Sequence, residues 1–295
     1  MQIAVVAVPF STDVARWGAA NGPQAFLDAG LIEEISARGH RVSDPVWIDF
    51  PREERTRDTV TNLGRIAARA SAAVSAALRE GADLVLVLEG NCTHAPGAAG
   101  GLARAAGAAG IVWFDAHGDM NTTQTTLTGL WGGMPYAVAL GWDLDDWRLA
   151  AGLDQPVRAE AAALVGASDL DPAEVDALAR HPILRADASD VTDAEGVARL
   201  ERDLAARAGE APAWYLHLDV DVAGTDIVPG ALTPAPHWPP RQRLVEAAAA
   251  TARAVPIRVF GLAAYDPSGD PDRHGARFGL DMALAAIDAT ASSAT

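Results

Sequence analysis

The chain has 295 residues, 49% of them hydrophobic and 21% charged, with a net charge of −16 and one cysteine. That length buries about three quarters of the unfolded surface, as one large α/β domain or two average ones. The negative balance, with no Lys/Arg-rich block, argues against nucleic acid and membrane surfaces as partners, and the lone Cys92 excludes an internal disulfide framework.

In chain order, short β-type runs alternate with longer Ala-rich helical stretches, the pattern of a mainly parallel sheet with helices on both faces. Gln2–Val8 reads as a buried first strand closed by Pro9, with no basic leader ahead of it. Residues 22–39 read as one helix with Ala25, Phe26, Ala29 and Ile32 on its apolar face, ending at Gly39. A strand over 42–49, a long helix over 56–79 and strands over 84–88 and 111–115 follow, then a loop and a helix over 134–140. Residues 142–159, rich in Asp and Trp, read as surface elaboration. Further strands are predicted over Ala162–Ala167, 183–186, 216–220 and 257–262, with helices over Pro172–Arg180, 193–208 and 240–254. The count is about eight strands, with no repeat, linker or composition break, so residues 1–295 read as a single domain with a fraying end at 291–295. No apolar run reaches membrane length, and the protein is expected to be soluble and cytoplasmic.

Chemistry in such sheets sits at the carboxyl ends of strands. Strand 111–115 runs into Asp115-Ala-His117-Gly-Asp119, and strand 216–220 carries His217, Asp219 and Asp221 at alternate positions. A period of two sends alternate side chains to one face, so each strand end delivers a cluster of hard ligands without a nearby Lys or Arg. Such acids repel one another unless a cation sits among them. Asp115, His117, Asp119, Asp219 and Asp221 suffice for two divalent ions sharing a carboxylate, which generate hydroxide near neutral pH for attack on a planar carbon.

The segments 114–122 and 218–221, followed by Val228-Pro-Gly230 and Thr233-Pro234, resemble the signatures of the arginase/agmatinase (ureohydrolase) superfamily. Gly22-Pro23-Gln24 and Gly133-Met-Pro135 fit the same pattern, so the resemblance runs from the first helix to Pro267. It implies a three-layer α/β/α sandwich around a mainly parallel sheet of about eight strands. It also implies hydrolysis of a guanidino, formimino or related C–N bond with two Mn²⁺ ions, and a homo-oligomer, trimer or hexamer. By the same resemblance Asp115 and Asp219 bridge the ions, His117 and Asp221 complete one site, and Asp119 joins the other.

Three positions depart from the family pattern. The stretch 89–93 stands where the family has Gly-Gly-Asp-His-Ser, placing Cys92 at a ligand histidine. Thiolate is soft and Mn²⁺ hard, so this site is expected to hold Mn²⁺ less tightly and to admit Zn²⁺, Fe²⁺ or Co²⁺. The family's catalytic-loop histidine falls at Gly132, and its guanidinium-binding glutamate at Ala264. A guanidinium needs a carboxylate for bidentate hydrogen bonding, which leaves Asp266 or Asp270 as replacements, or a different substrate. His217 reads as a replacement base, a partner of the metal ligands or a core histidine, and His94 as an alternative ligand or a loop residue. Asn121 matches the loop that holds the substrate's polar tail, and Trp131 is a candidate pocket wall. Asp119 and His217 are the catalytic candidates, with Asn121, Trp131 and Asp266 for substrate.

The expectation is a metal-dependent hydrolase of a small molecule carrying a guanidino, hydroxyguanidino, ureido or formimino group. The rivals are a catalytically silent relative serving in binding or assembly, and a one-metal amide deacetylase.

Overall fold

The computed structural model describes residues 1–15 and 17–293. The strands are β1 (Gln2–Val8), β2 (Phe10–Ser11), β3 (Val14–Ala15), β4 (Arg41–Val42), β5 (Val46–Trp47), β6 (Leu84–Glu89), β7 (Gly110–Phe114), β8 (Ala162–Ala167), β9 (Leu184–Asp187), β10 (Trp214–Asp219) and β11 (Ile257–Ala263). The helices are α1 (Gly22–Asp28), α2 (Leu31–Ala37), α3 (Thr59–Arg79), α4 (Ala95–Ala106), α5 (Pro135–Ala139), α6 (Asp145–Ala150), α7 (Pro172–Arg180), α8 (Ala194–Ala205), α9 (Arg241–Ala254) and α10 (His274–Ser293). Nine strands form one sheet in the order β4-β1-β6-β11-β10-β7-β8-β9, with β5 also on β1, while β2 and β3 make a separate two-stranded ribbon. Every pairing in the large sheet is parallel.

Helices cover both faces, which is why β6, β7, β8 and β10 are buried along their whole length and why β7 and β8 read as unbroken apolar runs. One core joins Leu84, Leu86, Leu216 and Leu218 to α1, α2, α8, α9 and α10. The other joins Val85, Val87, Ile111 and Trp113 to α3, α4 and α5. The three-layer α/β/α sandwich is therefore present, one strand richer than expected. The ninth strand arises because 42–49 is interrupted at Pro45, which has no N–H to donate, and splits into β4 and β5.

Three further expectations change. Residues 22–39 form two helices, not one, broken at Gly30 with φ +91°, and Leu31 and Ile35 carry the second helix's core face. Residues 142–159 are not a surface elaboration: Trp147 is fully buried with Ala151 against Leu63 and Ala67 of α3. Three helices escape a periodicity reading, α6 within 142–159, α4 and α10. Helix α4 has glycines where neighbours press close: a Cβ at Gly97 would meet the Ala67 carbonyl at 2.8 Å, and one at Gly101 the Val74 side chain at 2.6 Å. Helix α10 is Ala-rich and buries Phe278, Met282, Ala283 and Ile287. It extends through Ser293, and residues 294–295 of the end expected to fray lie outside the described residues. No helix among the described residues is long and apolar enough to cross a membrane.

Candidate metal centre

Strands β7 and β10 are neighbours with Phe114 opposite Leu218, so the chain leaves them side by side at Asp115 and Asp219. Each acid then makes the same local turn. Asp115 Oδ1 accepts from the His117 backbone N–H at 2.7 Å, and Asp219 Oδ1 from that of Asp221 at 2.8 Å. These side-chain turns fix the residue two positions on.

The result is one connected group of six. Ligand atoms of Cys92, Asp115 and Asp119 lie within 4.8 Å of one another, as do those of Asp115, His117 and Asp221. Asp115 is common to both sets, and the Cys92 thiol donates to Asp219 Oδ2 at 2.8 Å. Asp221 Oδ2 accepts from Thr233 Oγ1 at 2.9 Å, while its Oδ1 is buried without a partner.

Charge crowding shows in the proton affinities. Burial pushes Asp119 and Asp219 well above the usual carboxylate range, and neighbouring carboxylates, Asp115 among them, push further. Asp115 is raised by burial and by Asp221. Burial also raises the Cys92 thiol, reinforced by Asp219, Asp119 and Asp115. Burial pulls the His117 imidazole down, but hydrogen bonds to Asp115 and Asp221 overcome it and hold it up at about 12. Divalent cations replace such protons and relieve the repulsion. The hard carboxylates, the orphaned Asp221 oxygen and a ligand set made only of acids, a thiol and an imidazole, with no Lys or Arg, fit that occupant.

The loop after Asp115 is held from α7. Asp119 adopts φ +50°, a strained left-handed conformation. Glu174 Oε1 accepts from the Met120 N–H at 2.9 Å and Oε2 from that of Asp171 at 3.0 Å. A Cβ at Gly118 would lie 2.6 Å from this carboxyl group, so the loop can close on Glu174 only with glycine there. Asn121 is fixed at both ends of its amide, donating to Asp171 Oδ2 at 2.8 Å and accepting from Thr125 Oγ1 at 2.9 Å. Sequence reasoning missed Glu174 and Asp171, although Asp171-Pro-Ala-Glu174 is an acidic N-cap followed three residues on by Glu, a helix-start signature.

The remaining candidates fall elsewhere. A Cβ at Gly132 would meet the Asn91 side chain at 3.7 Å, so position 132 does face the Cys92 loop. Trp131, a candidate pocket wall or packing residue, is partly buried against the cluster that Val138 and Trp147 form with Leu63 and Ala67 of α3. Ala264 directly follows β11, buried, with φ +64°. Asp266 Oδ1 accepts from the Ser268 N–H at 2.9 Å and caps a short turn. Asp270 is buried, accepting from Tyr265 Oη at 2.9 Å and Gly275 N–H at 2.7 Å. Each acid thus uses one oxygen locally, Asp270 Oδ1 being buried without a partner, and neither acid belongs to the ligand sets found among the described residues. His94 Nε2 bonds the Phe10 carbonyl at 2.8 Å, the loop-anchoring alternative. His217 is fully buried among Trp113, Tyr215 and Glu89, the surroundings of the core-histidine or ligand-partner alternative.

Comparison with known proteins agrees with this geometry. The arginase of Bacillus subtilis (strain 168) is 34% identical over 176 residues, spanning 58% of this chain and 59% of that protein. An N(omega)-hydroxy-L-arginine amidinohydrolase of Streptomyces lavendulae is 30% identical over 296 residues and 95% of each chain. The crystal structure of arginase from Bacillus cereus superposes with a TM-score of 0.85 at 26% identity, over 98% of each chain. The Arginase family profile matches residues 1–288, and the chain belongs to the arginase family.

Proposed function

We propose that this chain hydrolyses the C–N bond of an N-hydroxyguanidino compound, releasing an amine and hydroxyurea. As a member of its family it is a metal-dependent hydrolase of a guanidino or related C–N bond. The observation that carries the narrower reading is the pair of missing groups, a carboxylate at Ala264 and an imidazole at Gly132, with one oxygen of Asp266 and one of Asp270 held in local turns. A guanidinium is a full cation that demands a carboxylate. An N-hydroxyguanidine is a weaker base, because its hydroxyl withdraws electron density, and is bound with less need of one. The activity in the name of the Streptomyces lavendulae relative supports this choice.

Asp115 and Asp219 would bridge two divalent cations, with His117 and Asp221 completing one site and Cys92 and Asp119 the other. Mn²⁺ suits the carboxylates, and the thiolate of Cys92 shifts its own site toward Zn²⁺, Fe²⁺ or Co²⁺. When bound, such a pair supplies hydroxide at neutral pH and stabilises the charge that develops on the planar carbon. Asp119, beside Cys92 and Asp115 in one ligand set, would take the proton released in the attack and return it to the leaving amine. Asn121, locked between Asp171 and Thr125, offers a preorganised polar contact for the substrate tail, and Asp171 adds a negative charge suited to an ammonium. With this reading go a single domain over 1–295, a cytoplasmic location, a homo-oligomer of three or six chains, and no nucleic-acid or membrane partner.

The test is a rate comparison of the Mn²⁺-loaded protein on Nω-hydroxyarginine, arginine and agmatine. A preference for the hydroxylated compound of about 100-fold or more in kcat/KM is expected, the size of one well-placed group of about 3 kcal/mol. Rapid urea release from arginine or agmatine would sink the proposal, and no bound metal after growth with Mn²⁺ and Zn²⁺ would favour a binding role.

A further inference from the structure

The ligands arrive from strands that are not all neighbours, since β11 lies between β6, which leads to Cys92, and β10, which carries Asp219. Adjacent strands stand about 4.8 Å apart, so a tie from β6 to β10 must cross roughly 10 Å. Tyr215 makes that crossing over Gly261 of β11, where a Cβ would lie 2.4 Å from the phenol oxygen. Its hydroxyl meets both carboxyl oxygens of Glu89 at 3.2 Å and His217 Nδ1 at 2.7 Å. His217 Nδ1 is in turn 3.3 Å from Glu89. The imidazole lies against the Trp113 indole with centroids 3.8 Å apart, and Trp113 Nε1 donates to Asp115 Oδ2 at 2.9 Å.

Glu89, Tyr215, His217 and Trp113 are all fully buried. Burying a carboxyl group costs free energy that apolar side chains of the same volume would not, so such a network needs a compensating role. This one joins the last residue of β6, three before Cys92, to the residues two before Asp219 and two before Asp115. We infer that Glu89, Tyr215 and His217 are positioning residues that set the spacing of Cys92, Asp115 and Asp219, and with it the affinity of the thiolate-containing cation site. The inference rests on the two-cation reading above. None of the three touches substrate. They act through the strand ends, and His217 acts on Asp115 through Trp113.

The experiment titrates the cation-free full chain with Co²⁺, reading heat and the thiolate-to-Co²⁺ charge-transfer absorption. It compares wild type with Tyr215→Phe, which removes the bridging hydroxyl, and Glu89→Gln, which keeps the shape and removes the carboxylate. In both variants the thiolate-containing site is expected to bind Co²⁺ about 10- to 100-fold more weakly, with a changed charge-transfer band, the scale for residues that orient metal ligands. A merely structural role would lower the melting temperature and leave the band unmoved. Should Tyr215→Phe fail to fold, Glu89→Gln carries the comparison. Fewer than two equivalents bound by wild type would overturn the two-cation reading and this inference with it. Two equivalents in wild type and variants alike, with equal affinity and spectrum, would overturn the inference alone.

Discussion

Stripping divalent cations from this protein should destabilise it by an amount that grows with pH. In the cation-free fold, Asp119 and Asp219 hold their protons well above the usual carboxylate range because they are buried among other acids. The unfolded chain releases the same protons near pH 4. Above that pH the fold binds more protons than the unfolded chain, so its stability falls as pH rises, by about 1.4 kcal/mol per pH unit for each proton. Each such proton that the fold retains therefore lowers the melting temperature by about 3 °C per pH unit, since a chain of this size shifts by about 2 °C per kcal/mol. His117 adds slope of the same sign: its contribution is full below pH 6.5 and is lost on the way to about 12. In the loaded protein the cations have displaced these protons, so most of that slope disappears, and binding itself adds stability. Scanning calorimetry of dialysed and Mn²⁺-loaded protein at several values between about pH 5 and pH 8 measures the gap directly. It should widen steadily as pH rises. A gap that stays constant or narrows would refute this account of the acidic cluster.

Cys92→Ala should leave one cation fewer per chain by elemental analysis, with kcat reduced at least about 100-fold if both ions serve the reaction. Cys92→His should instead retain two and raise the preference for Mn²⁺ over Zn²⁺, measured by competition. Trp113→Phe keeps a ring against His217 but leaves Asp115 Oδ2 without its donor, and metal affinity should fall about 10- to 100-fold. Glu174→Ala strands the Met120 and Asp171 N–H groups, so urea denaturation should show a loss of about 2–4 kcal/mol, and KM should rise as the Asn121 loop loosens.

What the sequence disclosed, it disclosed where the physics is local. Asp115, His117 and Asp119, and again Asp219 and Asp221, are set by a strand end and a two-residue turn, both visible in a few letters. Cys92 needed the family pattern, since nothing within its own loop tells a ligand from a core thiol. Glu174 was signalled by its spacing from Asp171, though that spacing announces a helix start and not the loop it supports. Glu89 and Tyr215 could not be found this way at all. They meet across an intervening strand and 126 residues of sequence, and the residue that makes room for them, Gly261, looks like any other glycine. The same holds for α4, whose glycines weaken every local sign of helix while permitting the packing that makes it one.

The left-handed turn at Ala264 gives position 264 the character of a socket. An unbranched L-residue meets much the same steric penalty as alanine at φ +64°, whereas a β-branched one meets a larger one. Alanine already bears a cost that glycine would avoid, so an unbranched exchange changes side-chain packing more than backbone shape, because Ala264 is buried within the core. Libraries that vary 264 together with 132 therefore do best with unbranched residues.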